Sequence, residues 1–123
     1  MVLSRAAFRR LVEESLRSLP SAFRRKLENV EIVVEDWPTP EDLRRAGVEP
    51  GGTLLGLYTG VPLLQRGTWY GGVLPDRITL FRRSLQALCQ TRRELKRQIQ
   101  ITLMHEIGHH FGLGEEELEE VEG

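Results

Sequence analysis

The sequence has a single cysteine, Cys89, and no run of apolar residues long enough to cross a membrane. One thiol excludes an internal disulfide, and a lone cysteine is more often a packed apolar side chain than a ligand. A membrane helix would need roughly 18 uninterrupted apolar residues. The N-terminus has no apolar stretch typical of a secretory signal, because only two apolar residues separate Arg9 and Arg10 from Glu13 and Glu14. We therefore expect a cytoplasmic protein without a membrane segment.

Lysine is scarce, because 15 of the 17 basic residues are arginine. The arginines are spread along the chain among acidic residues, which indicates solvated helix faces rather than a nucleic-acid-binding surface. Residues 115–123 contain six glutamates and no basic residue. A chain of 123 residues, 40% hydrophobic and 28% charged, is typical of one globular domain, which we expect to span residues 1–123.

The hydrophobic pattern predicts an α+β fold. Apolar residues at three- and four-residue spacing predict a first helix between Leu3 and Leu19, with Ser4 as its N-cap and Pro20 as its stop. Shorter patterns predict helical turns at Ser21–Leu27 and Glu41–Ala46, and strands at Val30–Val34, Leu54–Thr59 and Arg77–Phe81. Residues 65–75, which contain three glycines, are predicted to form a loop.

A longer helical pattern begins at Ser84 or Thr91 and continues to Phe111, where Gly112 can end it. A step of about 100° per residue places five side chains on one inward stripe of this helix: Leu88, Leu95, Ile99, Leu103 and Glu106. His110 falls near the centre of the stripe and is predicted to be partly buried.

The end of this helix reads H-E-x-x-H, from His105 to His109. Residues four apart lie about one turn apart, so both imidazoles can bind one metal ion beside the stripe. Catalytic zinc usually has three protein ligands and a water, so a third donor is required. We predict Glu115 as this ligand, with Glu116 and Glu119 as alternatives; acidic residues here are also typical of a helix N-terminus.

Glu106 lies between the two histidines, on the inward stripe, where an unpaired charge is costly unless a cation compensates it. A glutamate next to a zinc ligand is typical of the general base that activates water for amide hydrolysis. These residues therefore predict a zinc-dependent hydrolase with Glu106 as its catalytic residue.

The segment Met104-His105-Glu106-Ile107-Gly108-His109-His110-Phe111-Gly112-Leu113, followed by the acidic run from Glu115, resembles the small bacterial zincin-like metallopeptidases, sometimes described as minimal metalloproteases. Their motif is H-E-[IL]-[AG]-H-H-F-G with an acidic residue, usually aspartate, three residues later. The strand Arg77–Arg82 is also similar. The sequence departs from the family in having glutamate at position 115, and from full metzincins in lacking a later methionine for a Met-turn.

The resemblance implies a zincin-like α+β domain with a short mixed sheet packed against the N-terminal and active-site helices. It implies that His105, His109 and Glu115 bind Zn²⁺, that Glu106 is catalytic, and that the substrate is a peptide or protein. An extended substrate could pair with an edge strand at Leu54–Thr59 or at Thr68–Gly72.

Aromatic residues near this edge have two interpretations each. Trp69 and Tyr70 could form a lip beside the substrate or pack as a lid on the core, and Tyr58 could donate to an oxyanion or pack its ring.

Two alternatives to a peptidase stay open. A metal-dependent endoribonuclease is less favoured, because the rRNA-maturation family uses histidines throughout and lacks a glutamate after its first ligand. A nonenzymatic module with a structural metal would have a closed four-ligand shell instead of an open site. The sequence does not indicate an oligomeric state.

Overall fold

A mixed series of shorter helices and strands precedes the longest helix of the described residues. The computed structural model describes residues 2–60 and 76–110, without the side chains of His109 and His110. Within these residues the helices are α1 (Arg5–Arg17), α2 (Ser21–Leu27), α3 (Pro40–Ala46), α4 (Arg82–Ala87) and α5 (Arg92–His110). The strands are β1 (Val30–Glu35), β2 (Gly56–Thr59) and β3 (Asp76–Phe81).

The ends of the early helices follow from local sequence signals. The Ser4 hydroxyl accepts a hydrogen bond from the Ala7 N–H at 3.1 Å, which satisfies one of the unpaired donors at the start of α1. Thr39 and Asp42 form a reciprocal capping box at the start of α3. Gly47 ends α3 with a φ of +72°, a left-handed conformation that favours glycine. The predicted N-cap at Ser4 is therefore confirmed.

The three strands form one mixed sheet in the order β1-β3-β2. β3 is central, parallel to β1 and antiparallel to β2. Both outer strands are edges of the sheet as far as the described residues extend. The predicted α+β class with a short mixed sheet is confirmed.

One face of the sheet packs against α1 and α5 to form the core. Ile78 and Leu80 of β3 are fully buried there, together with Phe8 of α1. α5 contributes four side chains with no exposed area: Leu95, Ile99, Leu103 and Ile107. Each such side chain stabilises the fold by roughly 1.5–3 kcal/mol through removal of apolar surface from water. The core therefore fixes which side of α5 faces the sheet.

Three sequence predictions need correction. Of the two predicted starts of the last helix, Thr91 is confirmed and Ser84 is wrong, because the chain breaks between α4 and α5. Leu88 lies at this break and is 61% exposed, so its predicted place on the inward stripe of the last helix is wrong. The predicted strand from Leu54 is shorter and begins at Gly56. Phe111 and Gly112, the predicted end of the last helix, lie outside the described residues.

A buried arginine, Arg82, connects the N-terminal segment to the residue that follows β1. Arg82 donates from Nε to Asp36 Oδ1 at 3.0 Å and from Nη1 to the Leu3 carbonyl oxygen at 2.7 Å. Arg5 also contacts Asp36, at 3.2 Å. These guanidinium groups, Arg82 foremost, lower the pKa of the Asp36 carboxyl. We call this cluster of Arg82, Asp36, Arg5 and Leu3 the arginine clamp.

Cys89 is buried, and desolvation raises the pKa of its thiol, as expected for a packed cysteine. No helix among residues 2–60 and 76–110 has the length and apolar character to cross a membrane. The single domain over residues 1–123 stays a prediction.

Candidate metal centre

The rotation of α5 about its axis is fixed at both its start and its core face. The Thr91 hydroxyl accepts a hydrogen bond from the Glu94 N–H at 3.1 Å, and the Glu94 carboxylate accepts one from the Gln90 N–H at 2.8 Å. This arrangement caps the first turn. Further along, the buried apolar face continues to Ile107, next to the H-E-x-x-H segment. The direction of the candidate side chains therefore follows from the packing of the whole helix.

His105 and His109 lie one turn apart on α5, because the helix continues through His110. His105 is half-buried, with its Nε2 atom inside the protein. The side chains of His109 and His110 lie outside the described residues, as does Glu115, the predicted third ligand, with its alternatives. The side chains that the structure describes include no cluster of three histidine, cysteine or acidic residues able to hold a metal. The two helical histidine positions fit the first two donors of a zinc site.

Glu106 is half-buried and reaches the neighbouring edge strand. Its Oε1 atom accepts a hydrogen bond from the backbone N–H of Tyr58 at 3.0 Å. The Phe81 N–H donates to the Leu55 carbonyl oxygen at 3.0 Å, and the antiparallel register pairs Tyr58 with Ile78. Since N–H groups alternate in direction along such a strand, the Tyr58 N–H points away from β3, towards the edge. Glu106 therefore contacts the outer edge of β2.

The exposed part of this edge lies at the end of β2 that follows Tyr58. Gly56 is buried, Leu57 and Tyr58 are half-buried, and Thr59 is exposed. The Tyr58 ring packs against the hydrophobic core, as its packing interpretation predicts. The alternative edge at Thr68–Gly72 and its two aromatic residues lie outside the described residues. An extended ligand along the outer edge of β2 would lie beside Glu106, which already occupies the Tyr58 N–H.

The contact between Glu106 and β2 was not predicted from the sequence. It depends on residues 48 positions apart, so no local pattern contains it. One signal was available: a glycine inside a predicted strand often marks a close approach of another element, and Gly56 is such a residue.

Comparison with known proteins identifies a family for most of the chain. A family model described as zincin-like metallopeptidase matches residues 27–123. A solved structure, described as a conserved hypothetical protein from Thermus thermophilus, is similar to this chain with a TM-score of 0.57 and 27% sequence identity. The similarity covers 88% of this chain and 94% of that one. No curated protein matches the sequence.

Proposed function

This chain belongs to the zincin-like metallopeptidase family, and we propose that it is a zinc-dependent peptidase with Glu106 as its general base. We propose His105, His109 and Glu115 as the zinc ligands. The observation that supports this most directly is the place of Glu106, next to His105 on α5 and in contact with the edge of β2.

The described residues would divide the work between binding and proton transfer. Zinc, when bound, would act as a Lewis acid that lowers the pKa of a bound water molecule and polarises the carbonyl group of the substrate. The outer edge of β2 would bind an extended peptide through backbone groups other than the Tyr58 N–H, which Glu106 occupies, and such pairing depends little on the side chains of the substrate. Glu106 would accept the proton of the attacking water and deliver it to the departing amine. The Tyr58 N–H holds one carboxylate oxygen of Glu106 during both steps.

We propose a peptide or protein as the substrate class. The chemistry of backbone pairing at an edge strand favours an extended chain over a folded one, because a folded substrate has already used its backbone groups. No described residue indicates a preference for acidic or basic side chains.

Metal analysis combined with a peptide-library cleavage assay tests this proposal. We expect about one zinc per chain, as for a single three-ligand site. We also expect cleavage that stops on chelation and returns when zinc is added. A single-stranded RNA of mixed sequence serves as the second substrate. Cleavage of RNA without cleavage of peptides would favour the endoribonuclease alternative, and tightly held zinc without either activity would favour a structural metal.

A further inference from the structure

Gly56 lies where α5 approaches the edge strand most closely. A Cβ atom at this position would lie 2.7 Å from Cγ2 of Thr102, 3.3 Å from the Thr79 carbonyl oxygen and 3.7 Å from Cγ of Glu106. The first distance is shorter than real carbon contacts, so an alanine here would force α5 and β2 apart. Gly56 therefore permits the spacing between the two elements.

Thr102 cannot easily turn its methyl group away from Gly56. Its hydroxyl donates to the Gln98 carbonyl oxygen at 2.8 Å, which fixes the rotamer, and the side chain is only 5% exposed. Thr102 lies one turn before Glu106 on α5, and Gly56 lies two residues before Tyr58 on the same face of β2. The contact between Gly56 and Thr102 is therefore directly adjacent to the bond between Tyr58 and Glu106.

We infer that Gly56 and Thr102 are positioning residues that set the place of the Glu106 carboxylate. This inference rests on the proposed role of Glu106 as the base. The bond from Tyr58 N to Glu106 Oε1 is 3.0 Å long. Separating β2 from α5 by roughly 0.7–1 Å would stretch it beyond the range of a hydrogen bond. A displacement of a catalytic group by about 1 Å can lower the rate about 100-fold.

Amide hydrogen exchange measured by NMR tests the hydrogen bond between the Tyr58 N–H and Glu106, and it needs neither zinc nor a substrate. An outward-facing amide at a sheet edge exchanges quickly unless it has a hydrogen-bond acceptor. We expect the Tyr58 amide to exchange at least about tenfold faster in Glu106→Ala than in the wild type. The Leu57 amide, which faces β3 in this register, is the internal reference and should not change. An unchanged Tyr58 exchange rate would overturn the inference, whatever the activity of the protein.

Gly56→Ala tests the link to catalysis. We expect kcat for peptide cleavage to fall about 10- to 100-fold, with zinc affinity and KM nearly unchanged, and the Tyr58 amide to exchange faster. Gly52→Ala is the matched control, because its Cβ would lie 2.6 Å from a Val48 methyl group, in the segment before β2, and not against α5. This control should lose stability but keep its kcat. An equal loss of kcat in both variants would indicate a merely structural role.

The double variant Gly56→Ala/Thr102→Ser gives a rescue that general destabilisation does not predict. Serine keeps the hydroxyl that bonds Gln98 but removes the methyl group that an alanine at position 56 would meet. We expect the double variant to recover most of the kcat and of the Tyr58 amide protection that Gly56→Ala loses. Failure of the rescue would overturn the inference.

The failure of this inference is distinguishable from the failure of the proposed function. Full kcat in Gly56→Ala beside an inactive Glu106→Gln would overturn only the positioning role. Full kcat in Glu106→Gln would overturn the proposed base, while the exchange measurement still decides whether Tyr58 holds this side chain. If Gly56→Ala does not fold, recovery of folding and of Tyr58 protection in Gly56→Ala/Thr102→Ser supports the inference, and failure of that variant to recover overturns it.

Discussion

Two carboxylates beside opposite edge strands of the sheet are held by different donors. Asp36, directly after β1, contacts two guanidinium groups in the arginine clamp. Glu106, beside β2, accepts a hydrogen bond from a neutral backbone N–H that this edge strand fixes in place. Charged donors hold a carboxylate ionised as a structural anchor, whereas a backbone donor fixes the position of a carboxylate without adding a charge. The comparison indicates an anchor beside β1 and a positioned base beside β2.

Among the variants that compare these two sites, removal of a predicted metal ligand should have the largest effect. His105→Ala should weaken zinc binding about 100-fold or more, because even changes to residues that only support ligands cost 10- to 100-fold. Competition titration with a chromogenic chelator measures this affinity. Asp36→Asn, at the clamp, is the control and should bind zinc as the wild type does. Equal affinities for His105→Ala and the wild type would remove His105 from the site.

Removal of the central arginine of the clamp should lower stability without changing catalysis. Arg82→Met leaves the Asp36 carboxylate and the Leu3 carbonyl oxygen without their buried donor. We expect a loss of about 1–3 kcal/mol in the free energy of unfolding, measured with urea. The neighbouring Arg83→Met, an exposed side chain, should have little effect. A fall in kcat of the folded Arg82→Met protein would contradict the separate roles of the two carboxylates.

The arginine clamp should also change how the free energy of unfolding depends on pH in acid, and this effect should be the smallest of the three. Because Arg82 and Arg5 lower the pKa of Asp36, its ionised form stabilises the folded state. This contribution is complete above the ordinary aspartate pKa of about 4, and it disappears as the pH falls through the lower pKa of the folded state. The stability difference between the wild type and Asp36→Asn should therefore shrink in acid. A difference that grows below pH 4 would have the wrong sign.

Local signals predicted much of the fold. Ser4 marked the start of the first helix correctly, although the helix ends at Arg17, before Pro20. The β-branched residues identified β1, because caps and strand propensities act over a few residues. The alternative start of the last helix at Ser84 is wrong, because Leu88 continues the apolar spacing of that helix although it lies at the break before it. The Thr91-x-x-Glu94 capping signal marks the true start.

The candidate site was predictable only in part, for a physical reason. The H-E-x-x-H spacing acts within one turn of one helix, so it can be recognised in the sequence. The contact of Glu106 with Tyr58 and the approach of Thr102 to Gly56 depend on how β2 packs against α5. Such packing joins residues more than 40 positions apart, and the sequence shows it only indirectly, through an interior glycine in a strand.

The most direct test of the account compares kcat for peptide cleavage between wild type and Glu106→Gln at equal zinc occupancy. Glutamine keeps the size of the side chain and an oxygen that can accept the Tyr58 N–H, but it cannot accept a proton as a general base. Glu13→Gln, an exposed change on α1, is the control. The account predicts that kcat of Glu106→Gln falls about 10²- to 10⁴-fold while zinc binding is unchanged. Undiminished cleavage by zinc-loaded Glu106→Gln would contradict it.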